Sequence, residues 1–218
     1  VTSHDMESQD EQRLMNLFLA DLLQQRCPNH AQFRVAKQET KAVRGIVDHS
    51  EALCGVLQCA HSDALARVGS AFALLLTAVG IPMFVAGEEF GDIHDLEHTN
   101  WRLKQVDAVN WNRRNLPGHQ GLLARVSELI KLRTRHAALQ RNEVEFFYFH
   151  PNLDEAHGIP VFAYCRTGGK PLGSTGQVIV LANCGPTEFA EFDFPTFWND
   201  LSMLHEHGAP PGAGPPTL

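Results

Sequence analysis

The sequence predicts an α/β segment followed by an all-β segment, with the change of class near residues 139–142. Two observations carry this. Up to Arg141 the apolar residues recur at helical spacing, and a buried-type helix is ended by Gly80-Ile81-Pro82 and followed by the short apolar run Met83-Phe84-Val85-Ala86. After Arg141 the pattern becomes short β-branched or aromatic runs separated by Pro-Asn, Gly-Gly and Gly-Pro turns.

Residues 10–26 read as an amphipathic helix, with Leu14, Leu17, Phe18, Asp21 and Leu22 at three- and four-residue steps and Cys27-Pro28-Asn29 as its stop. Residues 30–50 show no period and read as loop. A second helix is expected over about 50–78, with a break near His61-Ser62-Asp63, where Ser62 offers a new cap. Its second half, residues 64–79, is apolar on nearly every side, as in a helix covered all round.

The run 83–86 then reads as a short all-apolar strand. A buried helix, a tight turn, such a strand and a glycine-bounded polar loop make half of a parallel β/α arrangement. Residues just past the C-terminal end of a barrel strand face the active site, which is where Gly87-Glu88-Glu89-Phe90-Gly91 falls.

Residues 92–118 read as a long loop carrying Trp101 and Trp111. A helix follows over about 118–139, traced by Leu122, Val126, Leu129, Ile130 and Arg133. Strands are expected at 143–150, 161–166, 177–183 and 188–194, forming an antiparallel sheet or small sandwich, with their phenylalanines (146, 147, 149, 162) in a core or in packing between domains. The Pro- and Gly-rich residues 208–218 read as a disordered tail.

The totals exclude some functions. With a net charge of -7, the chain lacks the basic surface that replaces counterions on phosphates, so no nucleic-acid role is expected. The longest apolar stretch, residues 71–86, is interrupted at Gly80-Ile81-Pro82, so no membrane span is expected. The five cysteines, Cys27, Cys54, Cys59, Cys165 and Cys184, show no ligand or disulfide spacing. They read as reduced thiols of a cytoplasmic protein. The opening on Val1, without a methionine, is expected of a piece cut from a longer chain.

Two segments stand out together. Val1-Thr2-Ser3-His4-Asp5 is a β-prone start running into an adjacent imidazole and carboxylate, and Gly80-Ile81-Pro82-Met83-Phe84-Val85-Ala86-Gly87-Glu88-Glu89 follows later in the chain. In that order they resemble the end of the seventh strand and the whole eighth strand of the α-amylase superfamily of glycoside hydrolases, whose patterns are V-x-x-H-D and G-x-P-x-x-x-x-G-x-E. Glu7, Arg13, Leu14, Asn16 and Phe18 resemble the helix after the His-Asp site. Residues Lys104 to Trp111 resemble the debranching, pullulanase-like branch.

The resemblance covers nearly all of residues 1–200. It implies the C-terminal part of a (β/α)8 barrel over 1–140 and a small antiparallel β-sandwich over 141–200. It also implies action on α-1,4 or α-1,6 bonds of starch- or glycogen-type glucans, without a cofactor or metal.

By the same resemblance Asp5 holds two hydroxyls of the sugar at the cleaved bond and stabilises an oxocarbenium-like transition state. His4 binds the same sugar. Glu88 and Glu89 both fit the last position of the second pattern, one supporting the site from below and the other facing substrate. The family's nucleophile and general acid lie on the fourth and fifth strands, before the segment that matches Val1. The chain alone is therefore expected to be inactive, with the N-terminal barrel portion as its missing partner.

Two other readings compete: a non-catalytic carbohydrate-binding piece, and a structural module that binds no sugar. Asp92, His94, Asp95, Glu97 and His98 are potential metal ligands close in sequence, but no H-E-x-x-H accompanies them and a variable loop is the plainer reading. Trp101 and Trp111 can stack on sugar faces, although buried loop anchoring is the plainer expectation for both.

Overall fold

The computed structural model describes residues 13–26, 55–93, 109–152 and 160–185. They divide into two compact units. The first takes 13–26, 55–73, 83–93 and 109–127, and the second takes 74–82, 128–152 and 160–185. The expected strand at 188–194, the tail at 208–218 and the loop residues 94–108 lie outside the described residues.

In the first unit, helix α1 (Leu14–Arg26) buries Met15, Leu19 and Leu22. This is not the stripe expected from the sequence, because Leu17 is 43% exposed and Asp21 pairs outward with Arg67 at 2.7 Å. The segment Leu-Met-Asn-Leu-Phe-Leu is apolar on several sides, so its period does not select a face. Helix α2 (Gly55–Thr77) runs without a break through His61-Ser62-Asp63 and buries Ala60, Ala64, Leu65, Val68 and Phe72 in this unit. One turn of small and branched side chains every four residues gives that continuous seam. Helix α3 (Pro117–Arg135) begins on proline, whose missing N–H costs nothing in a first turn. It buries His119, Leu122 and Val126 here.

The run 83–86 has no ladder: residues 81–85 carry no regular structure and a turn begins at Ala86. Among the described residues no strand lies beside it, so its peptide groups have no parallel partner to form the expected strand.

In the second unit a meander of three strands, β1 (Glu145–Phe149), β2 (Val161–Arg166) and β3 (Val178–Asn183), is antiparallel throughout in the order β1-β2-β3. β2 and β3 are in continuous register from Val161 opposite Asn183 to Arg166 opposite Val178. β1 carries a bulge between Phe146 and Tyr148. The extra residue shifts the alternation of side chains, so Phe146 and Phe149 share a face and stack at 5.2 Å with their planes 16° apart. That face carries Phe162 and Tyr164 too. The phenylalanines were expected in a core or in packing between domains; Phe146 and Phe149 are about half exposed among the described residues. The core lies instead on Ala138, Leu139 and Val178, with Leu132 and Val180 against them.

Two arginines hold this unit together. Arg166 at the end of β2 is fully buried and donates to the carbonyls of Thr77, Ala78, Leu139, Arg141 and Glu143. Arg133 on α3 donates to Leu76, Ala78 and Gly80 at 2.6–2.9 Å. These carbonyls include the last turn of α2, where helix oxygens lack internal partners and the helix dipole favours a cation. Burial, then the neighbouring Arg133, pulls the Arg166 guanidinium below its ordinary range. Beside it, Tyr164 shares a 2.7 Å hydrogen bond with Thr77 Oγ1.

Arg166→Met is expected to lower stability by about 3 kcal/mol, because several buried carbonyls lose their donor at once. Arg166→Lys should not restore it, since one ammonium lacks the forked donors that reach these five carbonyls. Urea denaturation of the variants checks both.

Burial, and then Glu145, pushes the Cys165 thiol up to about 11 from an ordinary value of 9.0, and burial raises Tyr164. Both groups are neutral when protonated, so the folded state holds its protons longer than the unfolded chain. The Cys165 contribution is complete below about pH 9 and is lost as pH rises toward about 11, and that of Tyr164 is lost in the same direction at alkaline pH. A urea series from pH 8 to 11 should show that decline, and Cys165→Ala should flatten it.

Candidate functional site

The segment Ala86 to Asp92 folds back on itself in the first unit. Glu88 N–H donates to Val85 O at 3.1 Å, Gly91 N–H to Glu88 O at 3.0 Å, and Asp92 N–H to Gly87 O at 2.9 Å. Together they wind residues Glu88–Phe90 into one 3-10 turn bounded by two left-handed glycines, Gly87 at φ 98° and Gly91 at φ 70°. Both positions also lack room for a side chain. A Cβ on Gly87 would lie 2.7 Å from Arg13 Nη1, and one on Gly91 would lie 2.7 Å from Leu65 Cδ2.

Around the turn sits a cluster of buried charges. Arg113 is 1% exposed and its Nε donates to Asp92 Oδ1 at 3.1 Å. Asp92 Oδ2 accepts Asn110 N–H at 3.2 Å and lies 3.9 Å from Arg13 Nη2. Arg13 Nη1 donates to Ala86 O at 2.8 Å. Glu88, also 1% exposed, accepts Leu14 N–H on both carboxylate oxygens at 3.2 and 3.3 Å. It is thus the N-terminal cap of α1, whose own first turn contains no acidic residue. Both guanidinium groups lie against Asp92, whose charge offsets part of their desolvation cost, while Glu88 is compensated by the Leu14 N–H at the start of α1.

Glu89 has a different environment. It is half-buried, and its Oε2 accepts Gly87 N–H at 2.7 Å. Of the two glutamates that the sequence left equivalent, Glu88 is committed to the fold and Glu89 retains access to solvent. His119 completes the underside. Its Nδ1 lies 2.7 Å from Phe90 O, and its ring is 5.0 Å from that of His61.

Beside the turn, residues Trp111–Asn115 form a short 3-10 helix in which only Arg113 is buried. Trp111 was expected as a buried anchor, but it is 52% exposed. Its ring lies 5.6 Å from that of buried Phe90, and the Arg114 guanidinium sits 6.0 Å from its centroid. The anchoring role falls to Arg113 instead, because a guanidinium can reach Asp92 while the indole is left outside.

His4 and Asp5 lie outside the described residues, as do Trp101 and the histidines of the 94–98 cluster. Asp92, counted with that cluster in the sequence, has both oxygens engaged by Arg113 and Asn110. No group of metal-ligating side chains is found among the described residues, and none of the described helices is long and apolar enough to cross a membrane. Sequence reasoning missed Arg13, Asp92 and Arg113 as a unit. The available signal was the pair of glycines flanking Glu88-Glu89, which marks a turn that must pack closely against something.

No protein-family model, curated protein or solved structure matches this chain.

Gly87→Ala is expected to cost about 2 kcal/mol or more through the positive φ and the clash with Arg13. Asp92→Asn should cost about 3–5 kcal/mol by leaving Arg113 buried beside a neutral amide. Guanidinium denaturation measures both, and an Asp92→Asn variant as stable as the parent would contradict the buried-pair account.

Proposed function

We propose that the chain is the C-terminal portion of a glycoside hydrolase acting on α-glucans, contributing sugar-binding and transition-state-stabilising groups but not the nucleophile or the general acid. The observation that carries this reading is the pairing of Val-Thr-Ser-His-Asp with Gly-Ile-Pro-Met-Phe-Val-Ala-Gly-Glu-Glu in the order of the α-amylase superfamily. The arrangement of the second segment supports it. The division between a buried Glu88 and a half-buried Glu89 matches a turn with one supporting carboxylate and one facing substrate.

In this reading Asp5 accepts two adjacent hydroxyls of one glucose unit, and its negative charge stabilises the positive charge that develops at the anomeric carbon. His4 donates to the same unit through one ring nitrogen. Glu89 supplies a further carboxylate acceptor at the edge. A retaining reaction also needs two carboxyl groups about 5–5.5 Å apart. The family supplies both from strands that precede the matching segment. The partner is thus the N-terminal part of the barrel, the fold a (β/α)8 barrel with a C-terminal β-sandwich, and the location cytoplasmic. Debranching at α-1,6 bonds is favoured by the resemblance of residues Lys104 to Trp111.

Titrating the 218-residue chain with maltohexaose, followed by tryptophan fluorescence, tests the reading. Saturable binding is expected, weakened at least about tenfold in a His4→Ala/Asp5→Ala double variant, since hydrogen bonds to a charged group are removed. Incubation with pullulan or starch should release no more reducing sugar than the double variant does. Absence of any binding would favour the structural-module reading, and sugar release by the chain alone would refute the absence of a nucleophile and acid.

A further inference from the structure

The 3-10 helix Trp111–Asn115 has a feature that its role in anchoring Asp92 does not explain. Arg113 alone is buried, and Trp111, Asn112, Arg114 and Asn115 are all exposed. In a 3-10 helix residues three apart lie on the same side. Trp111 and Arg114 therefore share one face, consistent with the 6.0 Å between guanidinium and ring, and Asn112 and Asn115 share the adjoining one. A planar apolar ring next to two amides and a guanidinium, all open to water, has the composition that a sugar requires. The ring covers the C–H face of a pyranose, and the amides and guanidinium meet its hydroxyls.

The ring is also held firmly. Phe90 supports it at 5.6 Å, and Arg113 fixes the helix to Asp92 at 3.1 Å, the residue next to Gly91 at the end of the Glu88–Phe90 turn. Orientation is thus set before any ligand arrives, which reduces the ordering cost of binding. A half-exposed indole on a mobile loop would lack that advantage.

We infer that Trp111, with Arg114, Asn112 and Asn115, forms a pyranose-stacking subsite beside the Glu88–Phe90 turn, which its ring meets at Phe90, extending the α-glucan site by a further glucose unit. The inference rests on the α-glucan reading above. Its ligand class is a neutral oligosaccharide long enough to pass from the Glu89 turn onto the indole.

The test is a maltohexaose titration of the whole chain and of Trp111→Ala, Trp111→Phe and Arg114→Ala, with heteronuclear NMR of the indole N–H signals. The Trp111 signal is assigned by its disappearance in Trp111→Phe. Trp111→Ala is expected to weaken binding by about fivefold or more, and Trp111→Phe by less, because a smaller ring keeps part of the contact. In the unaltered chain the Trp111 indole signal should shift in proportion to saturation. That reading of the intact protein holds even where a variant folds poorly. Binding by the unaltered chain with an unmoved Trp111 signal and an unchanged Trp111→Ala affinity would overturn the subsite while leaving the α-glucan reading in place. Failure of the unaltered chain to bind maltohexaose would overturn both.

Discussion

A carboxylate buried at position 88 has no access to water, so its two oxygens must find donors within the protein. Leu14 N–H is one of them, a group left unpaired by the first turn of α1. That exchange ties the helix start to a turn remote in sequence, and the rest of the site follows from it. Arg13, the residue before Leu14, is brought over the turn, where it reaches Ala86 O and approaches Asp92. Asp92 in turn holds Arg113 and the backbone of Asn110. The turn can take this shape only because Gly87 and Gly91 adopt left-handed backbone angles and carry no side chain where Arg13 and Leu65 approach. Half-buried Glu89 and exposed Trp111 are the visible consequence of the buried members of this network.

The second unit solves a related problem by different means. Its buried cation, Arg166, is satisfied by carbonyl oxygens around the end of α2 and the start of β1. Carbonyl dipoles are weaker partners than a carboxylate, but several of them converge on one planar guanidinium, whose forked donors suit that task. Arg133 adds a second cation to the same helix terminus. In the first unit the carboxylate of Asp92 balances the arginines. Here the dipole of a helix end does much of the balancing.

The elements themselves were largely legible in the sequence. Period-3.6 and period-2 patterns are local properties, so α1, α3 and the three described strands occur where those patterns fall. The expected break in α2 is absent, because a serine that can cap a helix can also remain within one when apolar neighbours on both sides continue the seam. The burial of α1 and the exposure of Phe146 and Phe149 were not legible. The first depends on where Glu88 anchors the helix start, and the second on one extra residue in β1 that changes which side chains share a face. The Glu-Glu pair was located by sequence, but its division of labour was not, since adjacent identical residues carry no local signal of which is buried.

By itself the sequence determined the order of the described helices and strands and the glycine-bounded turn at residues 87–91. Each of these depends on residues near one another in the chain, where spacing and backbone preference act directly. Only the tertiary structure decided which glutamate is buried, which face of α1 is covered, that Arg113 and not Trp111 anchors its segment, and that Arg166 closes the end of α2. Those outcomes rest on pairing buried charges and carbonyls across long separations in sequence. A partner of that kind is chosen by which groups lose water together, and that is settled only when the chain has packed.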